Sequence, residues 1–142
     1  MTTQYTGTTT QATLQFAIAL SRKTDTEAAT RDLADAILMQ IGTAPIDLAF
    51  VFFSVHHAPK AAMISAMLQR ALRAKVCLGC SGEGVIAGSQ EIETAAALTV
   101  WVACLPDVKL TPLQISVSQL QDQIRMPGWP EPGIEDTTFL LL

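Results

Sequence analysis

Residues 46–54, Ile-Asp-Leu-Ala-Phe-Val-Phe-Phe-Ser, constrain this chain more than any other stretch, because both alternating sets of side chains are almost wholly apolar. Successive side chains of a strand point to opposite faces, so both sets are buried only if the sheet is covered on each side. This segment is expected to be a core strand of a layered sheet protein, and a helix preceding it must end ahead of Pro45.

The flanking residues supply the layers. Residues 14–20 alternate enough for a first strand, and Thr24 with Glu27 three positions later forms a capping box. Ala29, Leu33, Ala36, Ile37 and Ile41 make one face of the helix that follows, and Gly42 stops it. Beyond the core strand, Pro59 suits the first turn of a second helix with Ala62, Ile64, Met67, Leu68, Ala71 and Leu72 on one face. Residues 75–79 read as a third strand. A crossover of this length implies that the second and third strands are parallel and connected right-handedly, with their carboxyl ends on one edge.

Downstream, residues 95–105 and 108–117 read as antiparallel strands joined at Pro106-Asp107, forming an edge of the sheet. Residues 119–125 read as a short helix, 126–133 as an irregular loop carrying Trp129, and 139–142 as the start of another buried strand. The expected class is α/β: a mixed sheet with a parallel centre, helices packed on it and antiparallel strands at one side, truncated at the C-terminus. Residues 1–12, rich in Thr and Gln, are expected to be a flexible N-terminal tail and 13–142 a single α/β domain.

Composition removes several classes of function. A chain of 142 residues suits one core. The net charge of −4, with nine scattered basic residues, lacks the footprint of a nucleic-acid or anionic-lipid binder. The longest apolar run, residues 46–55, is about half of the ~20 needed to span a bilayer, which argues against membrane insertion. The start lacks the positive region of a secretory signal, and three cysteines, Cys77, Cys80 and Cys104, in apolar surroundings suit free thiols in a reducing compartment. A soluble, cytoplasmic protein is expected.

The chemistry concentrates in two loops at the carboxyl edge of the parallel strands, where open sheets place ligands. Ser54-Val55-His56-His57 leads into the Pro59 helix, whose dipole disfavours imidazolium, so both histidines are expected to be neutral. Cys80-Ser81-Gly82-Glu83-Gly84 offers a thiol, a hydroxyl, a carboxylate and a backbone that its glycines let approach a ligand. The candidate ligand-binding residues are therefore Ser54, His56, His57, Cys80, Ser81, Gly82, Glu83 and Gly84. Gly79, Gly82 and Gly84 have the spacing GxxGxG, which is neither a dinucleotide fingerprint nor a phosphate loop, so nucleotide binding is rejected. Cys77 and Cys80, three apart on a strand, point to opposite faces and do not make a redox pair. Adjacent histidines on an extended segment diverge, so a zinc site from His56, His57 and Cys80 is not expected, nor is any cofactor. Cys80 activated by one of the histidines is the enzymatic alternative; Trp129 or residues 139–142 presented to another chain is the scaffold alternative.

Four segments resemble the N-terminal part of the FIST domain: Val51-Phe52-Phe53-Ser54-Val55-His56-His57, Gly79-Cys80-Ser81-Gly82-Glu83-Gly84-Val85-Ile86-Ala87-Gly88, Ala96-Ala97-Leu98-Thr99 and Leu105-Pro106-Asp107-Val108-Lys109-Leu110-Thr111-Pro112. The Gly-Cys-Ser-Gly segment at its distance from the histidines is the specific part. The resemblance implies a non-enzymatic sensory domain of signal-transduction proteins that binds small ligands, amino acids or related metabolites among them. It carries over onto Ser54, His57, Cys80, Ser81, Gly82 and Glu83. The partners it implies are a small polar metabolite and a signalling domain or partner protein, with a homo-oligomer allowed.

Overall fold

Register decides which side chains share a face, and here it runs unbroken across four strands. The structure, a computed structural model, describes residues 13–120, 123–128, 137–140 and 142. The chain divides into two compact units, the first ending at Val108 and the second beginning at Lys109.

In the first unit the elements are β1 (Gln15–Ser21), α1 (Thr26–Ile41), β2 (Leu48–Ser54), a 3-10 turn (Ala58–Lys60), α2 (Ala61–Leu72), β3 (Val76–Gly82), β4 (Gly84–Ala87), β5 (Gln90–Glu93) and β6 (Leu98–Cys104). The main sheet has the order β1-β6-β2-β3. β2 and β3 are parallel, joined through α2, while β6 is antiparallel to both β1 and β2. The α/β class, the mixed sheet and its parallel pair are as the sequence implies. Two placements differ. The strand expected at an edge, now β6, lies inside the sheet between β1 and β2. Residues 108–117 form no strand, consistent with Asp107 turning the chain at φ 65° and Pro112 having no N–H for a ladder.

α1 and α2 pack on one face of the sheet. That face is built from Ala17 and Ala19 of β1, Val100 and Val102 of β6, and Ala49, Val51 and Phe53 of β2, meeting Leu33 and Ile37 of α1 and Ile64 and Leu68 of α2. Small and β-branched side chains on the sheet let the helices approach closely. The opposite face carries Phe16, Trp101, Phe50 and Phe52, stacked with ring centroids 5.6, 5.7 and 6.2 Å apart in turn. Phe16 is 57% exposed there. The both-sided apolar pattern of β2 is therefore matched by helices on one side and by a half-exposed aromatic ladder on the other.

Local chemistry sets the ends. The N-cap of α1 is Asp25 rather than the Thr24 of the expected capping box: its carboxylate accepts from the Ala28 N–H at 2.7 Å, and Glu27 pairs instead with Arg31 one turn on. Gly42, at φ 67°, closes the helix by donating to the Leu38 carbonyl. Asp47, 4% exposed, ties three strand ends: Oδ2 accepts from the Leu105 N–H at 2.6 Å, Oδ1 pairs with Lys75 at 2.6 Å, and its carbonyl accepts from Val76 N–H.

The second unit holds β7 (Ser118–Leu120) and β8 (Gln123–Arg125), an antiparallel pair where a short helix was expected. Pairing of Ser118 with Arg125 overrides the helical propensity of a Gln- and Leu-bearing segment. The described residues of 139–142 form no strand. Trp129, most of the 126–133 loop and the 1–12 tail lie outside the described residues.

Candidate functional site

The last residue of β2, Ser54, is the register partner of the last residue of β3, Gly82. That pairing brings the two carboxyl ends side by side, and the chain leaves them in different directions. After Ser54 it turns through Val55-His56-His57 into the 3-10 turn, where Pro59 occupies the first positions. After Gly82 a single residue, Glu83, leads into β4.

The glycine-rich segment is less of a loop than its composition implies. Cys80, Ser81 and Gly82 continue β3, and Gly84–Ala87 with Gln90–Glu93 make a hairpin turning at Gly88-Ser89, with Gly88 at φ 59°. Val85 and Ile92 of this hairpin pack with Ala97. Seven residues of parallel pairing with β2 outweigh the local cost of glycine in a strand.

Ser54 and His57 lie buried at this edge. Ser54, 1% exposed, accepts at Oγ from the Ala97 N–H at 3.0 Å, while its own N–H donates to the Ala97 carbonyl at 2.9 Å. His57 is fully buried; its Nδ1 lies 2.9 Å from the Thr26 hydroxyl, and Nε2 has no partner among the described residues. Burial, with the nearby His56 and Lys60 charges acting in the same direction and Asp25 opposing, holds the His57 pKa below its ordinary value, so the ring is neutral at pH 7. Its partner Thr26 went unsignalled in the sequence, since nothing local links the start of α1 to a residue 31 positions on.

The remaining candidates are exposed except Gly82, which is half-buried. His56 is exposed, with Nδ1 3.3 Å from Ser54 Oγ, and Ser81, Glu83 and Gly84 are exposed along the chain that runs from the end of β3 into β4. Cys80 is exposed too, but alternation puts it on the aromatic face with its register partner Phe52, whereas Ser81 lies on the helix face with Phe53. Cys77 is likewise on the helix face, so the paired cysteines do diverge. Burial raises the Cys77 thiol pKa, and burial with the Asp47 charge raises that of Cys104.

Sequence reasoning missed a cavity of about 340 Å³ on the helix face, walled by Ala61 and Ser65 of α2, Val51 and Phe53 of β2, and Cys77 and Gly79 of β3. It adjoins the carboxyl edge without including the polar residues singled out from the sequence. Its signal was the pair of small residues one helical turn apart on α2 opposite a glycine on β3. Among the described residues no group of three His, Cys, Asp or Glu side chains is arranged to hold a metal ion, and no helix is long and apolar enough to cross a membrane.

These features define an α/β domain whose polar groups gather where two parallel strands end. A family-level comparison matches residues 47–140 to the FIST N domain, and the chain belongs to that family. FIST domains are sensory domains of signalling proteins. Comparison with curated proteins and with solved structures returned no match.

Proposed function

We propose that this chain is a small-ligand-binding sensory domain of a cytoplasmic signal-transduction protein, taking a polar metabolite such as an amino acid across the carboxyl ends of β2 and β3. The observation that supports this reading is the Ser54–Gly82 pairing, which puts the end of β2, two residues before exposed His56, next to the end of β3, whose last residues and the Glu83-Gly84 that follow include exposed Ser81, Glu83 and Gly84. Glu83 offers a carboxylate to an ammonium group, the amides about Ser81, Gly82 and Gly84 offer donors, and His56 an imidazole. Ser54 and His57 hold this edge from beneath. Occupancy is passed to a signalling domain or partner protein.

The test is thermal-shift and calorimetric screening of amino acids, with Glu83→Gln alongside. Binding weakened about tenfold or more by that change supports the site; unchanged affinity removes Glu83 from it. A second reading, an interaction module, is favoured by the half-exposed aromatic ladder of Phe16, Trp101 and Phe50. A mass that rises above 15.2 kDa with concentration, and returns to it on Phe16→Asp, would support that reading.

A further inference from the structure

The cavity between α2 and the β2–β3 pair bears on what the sensory site would recognise. Its volume of about 340 Å³ lies at the lower end of small-ligand pockets, which run from roughly 300 to 1,000 Å³. The side chains that line it, Leu78 among them, are hydrocarbon apart from the Ser65 hydroxyl and the Cys77 thiol, and the thiol's raised pKa keeps it protonated at neutral pH. None of the lining side chains supplies a charge to pair with an ionic group.

Register joins this apolar space to the polar edge. Cys77, Gly79 and Ser81 alternate onto the same face of β3, beside Ala49, Val51 and Phe53 of β2. Cys77 and Gly79 line the cavity, and Ser81 is the next step on that face, ~7 Å further along the strand. Glu83 follows where the strand ends. The helix side of this space is kept open by short side chains, Ala61 and Ser65.

We infer that the ligand is an aliphatic amino acid whose apolar side chain enters this cavity while its ammonium group meets Glu83 at the edge. This rests on the sensory reading above for the polar end and on the cavity for the apolar end. A ligand with no carbon body, such as glycine, would leave the cavity unused, and one with a charged side chain would be penalised by it.

The experiment titrates the full chain with L-leucine, glycine and isobutanol, following amide shifts by NMR, in the wild type and in Ala61→Leu and Ser65→Leu. Ser65 is exposed, so its substitution tests the cavity even if Ala61→Leu perturbs folding. L-leucine is expected to bind about tenfold to a hundredfold more tightly than glycine, the equivalent of burying one aliphatic side chain. Isobutanol is expected to shift the amides of Val51, Ala61 and Cys77, and filling the cavity should abolish both effects while leaving glycine unchanged. L-leucine binding that neither substitution weakens overturns the cavity assignment and leaves amino-acid sensing intact. Isobutanol shifts at these amides without binding of L-leucine or glycine overturn the amino-acid inference and leave an apolar pocket. No shift from any of the three overturns it outright.

Discussion

Nδ1 of His57 and the hydroxyl of Thr26 lie 2.9 Å apart in a fully buried setting, joining the first turn of α1 to the turn that follows β2. The ring is held neutral there, because burial lowers its pKa and the His56 and Lys60 charges lower it further. The unfolded chain has no such penalty and titrates near 6.5. The stabilisation from keeping His57 neutral is complete above that value, and it is lost as pH falls from about 6.5 toward the lower folded-state pKa. Denaturant midpoints measured between pH 8 and 5 should therefore decline below pH 6.5. His57→Gln should flatten that slope while lowering stability at pH 8; an unaltered slope would place the titration elsewhere.

Asp47 makes an opposite use of charge. Its pKa is lowered chiefly by the hydrogen bond from Lys75, with the Leu105 N–H acting in the same direction and burial opposing. A depressed carboxyl contributes stability above its unfolded pKa and loses it as the solution is acidified through the folded value. Asp47→Asn should cost about 1.5–3 kcal/mol, as for other hydrogen bonds to charged groups. Lys75→Ala should cost less than about 1 kcal/mol, since the Lys75 side chain is 70% exposed. Urea unfolding at pH 7 compares the two; equal losses would mean that the Leu105 bond contributes little.

Gly79 and Gly84 should respond oppositely to alanine. A Cβ at Gly79 would sit on the Val51 carbonyl oxygen and 2.9 Å from its carbon, both backbone atoms that cannot swing aside. Gly79→Ala should destabilise by about 1–3 kcal/mol through overpacking. At Gly84 the nearest atoms are 3.7 and 3.8 Å away, ordinary contact, so Gly84→Ala should be neutral within about 0.5 kcal/mol. Paired melting curves decide it, and equal tolerance at both would mean that β2 and β3 separate readily at Val51.

Much of this architecture was legible because periodicity survives in a single sequence. Ala29, Leu33, Ile37 and Ile41 declare the buried face of α1, and Ile64, Leu68 and Leu72 that of α2, since the helix repeat fixes which residues meet the sheet. What was lost depends on contacts distant in the chain. Glycines at 79, 82 and 84 favour a turn locally, but β2 lies alongside and its pairing carries β3 through Gly82. Residues 119–125 read as a short helix, whereas the described residues among them belong to the antiparallel pair β7–β8. The same limit applies to the site: the two carboxyl ends were correctly expected to adjoin, whereas the burial of His57 depends on Thr26 and the cavity on Ala61, Ser65 and Gly79, none of them adjacent in sequence.

The three thiols offer a direct check on whether Cys80 acts as a nucleophile. Cys80 is exposed, Cys77 half-buried and Cys104 buried. The pKa values of Cys77 and Cys104 are raised by burial, and that of Cys104 further by Asp47, so both present less thiolate than a free cysteine. Exposure alone predicts alkylation by iodoacetamide at pH 8 in the order Cys80, Cys77, Cys104. Neither histidine turns its Nδ1 toward Cys80: that of His56 lies by Ser54 Oγ, and that of His57 by the Thr26 hydroxyl. The rate at Cys80 should therefore be set by accessibility alone. His56→Ala and His57→Gln should leave it unchanged within about twofold. Rapid, pH-insensitive labelling of Cys80 that either substitution abolishes would establish a cysteine–histidine pair and favour the enzymatic alternative over a sensory domain.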